Sequence, residues 1–146
     1  MQAARILSFL AICSSLACQA EEAADWVLLG DAQLQGVLKP VEAKSYIKPS
    51  EIEEKSGLRY VEHRMVFKRA QASINRKYIK EVREAAVVSC QDQTVGVVSA
   101  DLLEPNGSKL TTKIIAKKGL EMALPENDHH RRLIDTVCKI EISAKE

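Results

Sequence analysis

The sequence predicts an α+β fold that is mostly β: a single antiparallel sheet of about five or six strands, with a C-terminal helix packed on it and tied to it by a disulfide. Three observations predict this fold. Segments of alternating apolar and polar residues follow one another between residues 58 and 116, separated by turn residues. After them, residues 128–138 repeat their apolar positions at helical spacing. Cys90 lies in the strand-like part and Cys138 in the helical part.

Length and composition exclude several classes of protein. The chain has 146 residues, of which 46% are hydrophobic and 28% charged, and its net charge is +1. This length supports one domain with its own core, and this composition excludes an intrinsically disordered chain. No segment after the N-terminal leader has the roughly 20 apolar residues that a transmembrane helix needs. We therefore expect no transmembrane segment, and because the net charge is close to zero we expect no nucleic-acid partner.

Residues 1–20 have the composition of a secretory signal peptide. They contain one basic residue, Arg5, and no acidic residue, and their apolar run is too short for a membrane helix. Small residues lead up to Ala20, where cleavage would leave residues 21–146 as a single domain. The protein is therefore expected to be exported, to the periplasm or the outer cell surface.

A lipid anchor is the alternative interpretation of the leader. The tetrapeptide Ser15-Leu16-Ala17-Cys18 resembles a bacterial lipobox, except that Ser15 stands where that motif prefers Leu. In this interpretation Cys18 becomes the lipidated N-terminus instead of being removed.

The first part of the exported chain predicts short β segments and one helical turn. The β segments are Trp26–Leu29, which ends at Gly30, and Ser45–Ile47, which is closed by Pro49. Ser50 and Glu53 have the spacing of a capping box, which predicts a short helical turn ended by Gly57.

Five further strands follow. They are predicted at Leu58–Phe67, Tyr78–Cys90, Thr94–Val98, Leu110–Ala116 and Leu120–Leu124. In the first of them, alternation places Val61, Met65 and Phe67 on one face. Asn106 and Gly107 predict a hairpin with a type I′ turn, since both tolerate positive φ.

The C-terminal segment predicts a helix. Pro125 ends the sheet pattern, and either Asn127 or Asp128 supplies the N-cap. The apolar face of this helix consists of Leu133, Ile134, Val137 and Cys138.

Two cysteines, Cys90 and Cys138, remain once the leader is removed. In an oxidising compartment an isolated pair favours a disulfide over free buried thiols or a metal site. A structural zinc site would need about four ligands at short spacings, which these cysteines lack. No His adjoins Cys90 to activate it as a nucleophile. The disulfide would clamp the helix to a strand.

This layout resembles the surface-adhesin protein E-like family of exported Gram-negative proteins. The features that carry the resemblance are Trp26, Tyr46-Ile47 before a short turn, a long strand pair, Cys90, and Pro125 followed by a helix that bears Cys138. The resemblance implies an antiparallel sheet with a helix tied to it by one disulfide, and an adhesive function. A weaker resemblance connects the chain to the cryptic neisserial protein-like family, whose members are also small and exported.

Basic residues are concentrated between Glu62 and Glu81, a stretch without acids. If the flanking strands pair, residues 68–77 form a hairpin loop with a positive tip. We therefore assign Arg69, Arg76 and Lys77 as candidate residues for binding an anionic ligand. The alternative is a solvated loop whose charges discourage aggregation at the sheet edge.

Other combinations of residues predict no catalytic or metal chemistry. His129 and His130, with the distant His63, suggest a metal site, but neighbouring residues of a helix point about 100° apart and seldom share one ion. Neither a nucleophile-elbow motif nor an oxyanion signal accompanies the serines. We expect no enzyme activity, no metal and no cofactor.

The sequence therefore favours an exported, non-enzymatic binding protein of the cell envelope. Its expected partner is a protein or an anionic glycan at the envelope or the host surface, and the chain is compatible with a homodimer. The alternative is a periplasmic structural or assembly accessory without an adhesive role.

Overall fold

A computed structural model describes residues 25–34, 39–73 and 75–142. The predicted signal peptide, the cleavage position at Ala20 and the alternative lipid site at Cys18 lie outside the described residues.

In the part of the chain that the structure describes, seven strands form one antiparallel sheet. They are β1 (Val27–Leu34), β2 (Val41–Ile47), β3 (Glu53–Lys55), β4 (Leu58–Ala72), β5 (Tyr78–Ser89), β6 (Thr94–Leu103) and β7 (Lys109–Ile114). Six of them lie in the order β1-β2-β4-β5-β6-β7, and short β3 pairs with the start of β4. Together with helix α1 (Asp128–Val137), this arrangement of the described residues confirms the predicted fold class.

The capping box predicted at Ser50 is wrong. A 3-10 turn at Pro49–Glu51 follows β2 instead, and Ile52 after it is extended and buried. The chain then forms β3 and turns into β4 through Ser56 and Gly57, whose φ values are 53° and 75°. Two successive positive φ values are typical of a type I′ hairpin turn. Gly57 is therefore a turn residue and does not end a helix.

Strand β4 is longer than alternation predicts. Its register against β5 shifts between Val66 and Gln71, and pairing then resumes and continues to Ala72. The loop predicted at residues 68–77 is accordingly shorter. It begins at Ser73, whose backbone amide donates to the carbonyl oxygen of Lys77 at 2.7 Å.

The turn between β6 and β7 and the last predicted strand differ from expectation. The hairpin between β6 and β7 exists, but Asn106 does not have the positive φ of a type I′ turn; only Gly107 does, at 84°. Pro105 before Asn106 favours the type I geometry instead. Residues 120–124 form no strand; only Ala123 pairs, through an isolated bridge to Val95.

Helix α1 follows the sequence prediction closely. Asn127 is its N-cap, and the side chain of Asn127 accepts a hydrogen bond from the backbone of His130. Cys138, at the C-cap, forms the disulfide with Cys90, with the two Cα atoms 5.6 Å apart. No helix within the described residues is long and apolar enough to cross a membrane.

Two apolar clusters lie on the helix-facing side of the sheet. The first cluster includes residues of α1, and we call it the helix-side cluster. It consists of Ile47, Ile52, Val61, Ala86, Val88 and Val95 from the sheet region with Leu133, Ile134 and Val137 of α1. The second cluster consists of Ala32, Ala43, Met65 and Phe67. Val61, Met65 and Phe67 share this side, as alternation predicts.

Candidate functional site

Three polar residues, Ser45, His63 and Glu84, cross the helix-facing side of the sheet between the two apolar clusters. We call them the polar row. On this face of the sheet, the residues two positions before and after each of them are apolar. They are Ala43 and Ile47 for Ser45, Val61 and Met65 for His63, and Val82 and Ala86 for Glu84. Polar groups in such a position are costly unless they are fully paired. The polar row is therefore a candidate site.

The polar row is continuous, and His130 of α1 extends it. Ser45 Oγ lies 2.7 Å from His63 Nε2, and His63 Nδ1 lies 3.1 Å from Glu84 Oε2. The same carboxylate oxygen lies 3.2 Å from His130 Nε2. One oxygen of Glu84 thus joins an imidazole of the sheet to an imidazole of the helix.

The N-cap of α1 fixes the position of His130. Asn127 Oδ1 accepts a hydrogen bond from the His130 backbone amide at 2.8 Å, and Asn127 Nδ2 lies 3.3 Å from His130 Nδ1. The ring of His129 lies 4.6 Å from that of His130 and stacks on His63 at 5.9 Å, both measured between centroids. Three imidazoles therefore surround the start of the helix.

The surroundings of the site shift the pKa of the Glu84 carboxyl and the pKa of the His129 imidazole. Burial raises the pKa of the Glu84 carboxyl, but hydrogen bonds from His130 and His63 and their positive charge outweigh it and lower the pKa from 4.5 to about 2. Burial, and then positive charge on His130 and His63, lowers the pKa of His129 from 6.5 to about 4. At neutral pH Glu84 is an anion and His129 is uncharged.

Ser45, His63 and Glu84 are connected in the same order as the serine, histidine and carboxylate of a hydrolase triad. Both Ser45 and His63, however, have 0% of their surface exposed. A nucleophilic hydroxyl must reach its substrate, and this one contacts only the interior. We interpret Ser45 as the group that orients the His63 ring.

His63, Glu84 and His130 are also suited to hold a metal ion. One ligand atom from each residue lies within 4.8 Å of the other two. The sequence identified both histidines but paired His130 with His129 and did not include Glu84. A signal was available, because His63 and Glu84 interrupt apolar alternation on faces that are otherwise buried.

The predicted anion-binding residues lie around the β4–β5 hairpin. Arg69 is exposed in β4, Arg76 is exposed in the loop with a φ of 59°, and Lys77 precedes β5. Lys77 Nζ lies 3.6 Å from Glu104. The hydrogen bond and charge of Lys68, and then the charge of Arg69, lower the pKa of Glu42. Carboxylates thus offset part of this basic charge, and ligand binding there stays a prediction.

A second basic surface lies at the end of β7 and in the segment that follows it, at the edge of the sheet. We define this lysine edge by Lys113, Lys117 and Lys118, which are all exposed. Within the described ranges no carboxylate lies within 4.0 Å of these three lysines, whereas Lys109 pairs with Asp101 at 2.6 Å. Exposed apolar side chains accompany the lysine edge: Ile114, Ile115, Leu120 and Leu124. The acid-free run between Glu104 and Glu121 could have revealed this surface from the sequence.

No protein-family model, no curated protein and no solved structure matches this chain.

Proposed function

We propose that the chain is an exported, non-enzymatic binding protein of the cell envelope that resembles the protein E-like adhesins. Its partner is an anionic molecule that carries phosphate or sulfate groups. The observation that carries this proposal is the lysine edge: three exposed cations without a carboxylate partner among the described residues, next to exposed isoleucines. A binding role without catalysis is supported by the burial of Ser45 and His63.

Cations and apolar side chains contribute differently to such a surface. Unpaired lysines attract phosphate or sulfate groups, and this attraction weakens as salt screens the charges. Ile114 and Ile115 are 51% and 54% exposed, and neighbouring exposed apolar residues are typical of contact surfaces. The combination favours a partner that presents negative charge beside apolar groups.

The β4–β5 hairpin is a separate basic segment, at the end of β7 opposite to Lys113, Lys117 and Lys118. The ion pair between Lys77 and Glu104 brings the tip of that hairpin next to the turn between β6 and β7. The hairpin residues Arg76 and Lys77 and the start of β7 therefore lie at the same end of the sheet. An extended polyanion could contact both basic segments.

The test compares two anionic probes and two variants of equal charge. The probes are heparin, which carries sulfates, and lipopolysaccharide micelles, which carry phosphates and acyl chains. Replacing Lys113, Lys117 and Lys118 with Gln should abolish binding to the preferred probe at physiological salt. Replacing Lys39, Lys44 and Lys139 with Gln removes the same charge from exposed positions elsewhere and should leave binding unchanged. Equal losses of probe binding in both variants would show that the interaction depends only on net charge and would contradict the proposal.

The free edge of β7 also favours a second candidate function, a periplasmic assembly accessory. β7 ends the sheet path, so an extended partner segment could add to it as a further strand. Such binding depends on backbone hydrogen bonds and apolar contacts, and we expect it to persist at high salt. Whole-cell protease shaving separates the candidates further, because it should digest an adhesin and spare a periplasmic accessory.

A further inference from the structure

We propose that His63, Glu84 and His130 form a binding site for Zn²⁺. Two imidazole nitrogens and a carboxylate oxygen are a ligand set that zinc accepts, with a fourth position left for water. The ligands come from three elements, β4, β5 and α1, so the ion would join the sheet to the start of the helix. This site goes beyond the proposed binding function and does not depend on it.

The measured distances agree with a tetrahedral site. Zinc–nitrogen and zinc–oxygen bonds are about 2.0–2.2 Å long, which places neighbouring ligand atoms roughly 3.3–3.6 Å apart in a tetrahedron. Glu84 Oε2 lies 3.1 Å from His63 Nδ1 and 3.2 Å from His130 Nε2. The two nitrogens lie within 4.8 Å of each other. Small side-chain shifts are enough to place an ion between the three atoms.

The Ser45 hydroxyl favours the tautomer of His63 that can bind a metal through Nδ1. A metal bound at Nδ1 requires the imidazole proton to be on Nε2, and the Ser45 hydroxyl lies 2.7 Å from Nε2, where its oxygen can accept that proton's hydrogen bond. A hydrogen bond at the second nitrogen is what fixes the tautomer and ring orientation of most metal-binding histidines. The buried hydroxyl thus has a specific function in the site.

Asn127 holds His130 less favourably for metal binding. A metal at Nε2 requires the proton to be on Nδ1, but Asn127 Nδ2, itself a donor, lies 3.3 Å from that atom. The Asn127 amide must therefore rotate when the ion binds. In Asn127→Asp both side-chain atoms are acceptors, so one oxygen can receive the His130 backbone amide and the other the Nδ1 proton. This substitution should strengthen Zn²⁺ binding, and Asp is as good an N-cap as Asn.

The experiment uses the full chain without a polyhistidine tag, with the Cys90–Cys138 disulfide intact. N-ethylmaleimide blocks the thiols of Cys13 and Cys18 so that they do not bind the metal. Co²⁺ titration reports the coordination geometry by visible absorption, and competition with a chromophoric chelator measures Zn²⁺ affinity. We expect one equivalent of Zn²⁺ and a Co²⁺ spectrum typical of tetrahedral nitrogen and oxygen ligands.

Four variants test the assignment. His130→Gln and Glu84→Gln should each weaken Zn²⁺ binding by more than about 100-fold, while Asn127→Asp should tighten it by up to about 10-fold. His129→Gln is the matched control and should bind like the wild type.

Three results would overturn the proposal. They are an absence of Zn²⁺ binding by the wild type, unchanged affinity in His130→Gln and Glu84→Gln, and an equal loss in His129→Gln. If the two ligand variants fail to fold, the Zn²⁺ affinity of Asn127→Asp becomes the test. An affinity no higher than that of the wild type would contradict the site.

Discussion

Arg59 in β4 caps the C-terminal end of α1, 81 residues away at Ile140. Its Nη1 donates to the carbonyl oxygen of Ile140 at 2.8 Å and to that of Val137, and its Nε donates to Glu54 at 3.0 Å. The last carbonyls of a helix have no partner within the helix and carry partial negative charge. Cys138 lies between Val137 and Ile140 in the chain, so the Arg59 guanidinium and the disulfide of Cys138 hold the same end of the helix.

Replacing Arg59 with Gln should destabilise the fold. Hydrogen bonds from a charged donor contribute about 1.5–3 kcal/mol each. The Val137 carbonyl oxygen keeps a second hydrogen bond, from the Ile140 amide at 3.3 Å, so we expect a decrease of about 2 kcal/mol. Urea unfolding with the disulfide intact measures it. Arg131→Gln is the control. Within the described residues the exposed Arg131 side chain forms an ion pair only with Asp128, at 3.6 Å, so its replacement should cost less than about 0.5 kcal/mol. Equal stability of the two variants would contradict the capping role.

The disulfide should contribute more than any single hydrogen bond. It joins residues 48 positions apart, and closing a loop of that length stabilises a protein by about 4 kcal/mol in the chain-entropy model. The double variant Cys90→Ser/Cys138→Ser should therefore unfold at a much lower urea concentration than the wild type. Peptide mapping without reduction provides the independent check, since it should recover a linked Cys90–Cys138 peptide. Alkylation of both thiols before any reduction would contradict it.

The secondary structure of the sheet and helix could be predicted because the determining signals are local. Alternation at Val61, Met65 and Phe67 and the helical spacing of Leu133, Ile134 and Val137 each specify one buried face, and the structure buries them as expected. The predicted strand at residues 120–124 failed for a tertiary reason: the side chains there pack over Gly96 instead of extending a ladder.

The polar row could not be predicted in the same way. His63 is opposite Glu84 only because of the β4–β5 register, and a register shift of one residue would turn one of them to the other face. His130 reaches Glu84 only because α1 packs across the sheet. These relationships depend on long-range pairing, which local periodicity does not encode. The capping box at Ser50 failed similarly, since burial of Ile52 in the helix-side cluster determines that segment.

Gly96 should be irreplaceable by Ala. A Cβ atom there would lie 2.7 Å from the backbone oxygen of Glu121 and 2.8 Å from Leu120 Cδ1. The oxygen cannot easily retreat, because Val95 and Ala123 exchange two backbone hydrogen bonds of 2.9 and 3.0 Å. We expect Gly96→Ala to cost about 1–3 kcal/mol, as overpacked sites do, and to speed hydrogen exchange at the Ala123 amide.

Val97→Ala is the comparison for Gly96→Ala. It changes the next residue of β6 without adding volume, and we expect it to leave exchange at Ala123 slow. Wild-type stability and slow exchange in Gly96→Ala would show that residues 120–122 do not pack against the strand.

The basic hairpin should bind anions more weakly than the lysine edge does. Replacing Arg69, Arg76 and Lys77 with Gln removes three exposed charges, yet Glu104 and Glu42 already offset part of that charge. We therefore expect the triple variant to elute from heparin at lower salt than the wild type, by a smaller shift than the lysine-edge variant shows. The wild-type interaction itself should weaken steeply with salt, because exposed charges are screened over about 8 Å at physiological ionic strength.

The stability of the hairpin variant is the control for this comparison. Exposed substitutions usually change stability by less than about 0.5 kcal/mol each, so unfolding of the triple variant should remain close to that of the wild type. Elution at the wild-type salt concentration would show that the hairpin is a solvated turn, and the lysine edge would then account for the binding. A larger shift than that of the lysine-edge variant would instead make the hairpin the principal anion-binding surface, since the local carboxylates would not be compensating its charge.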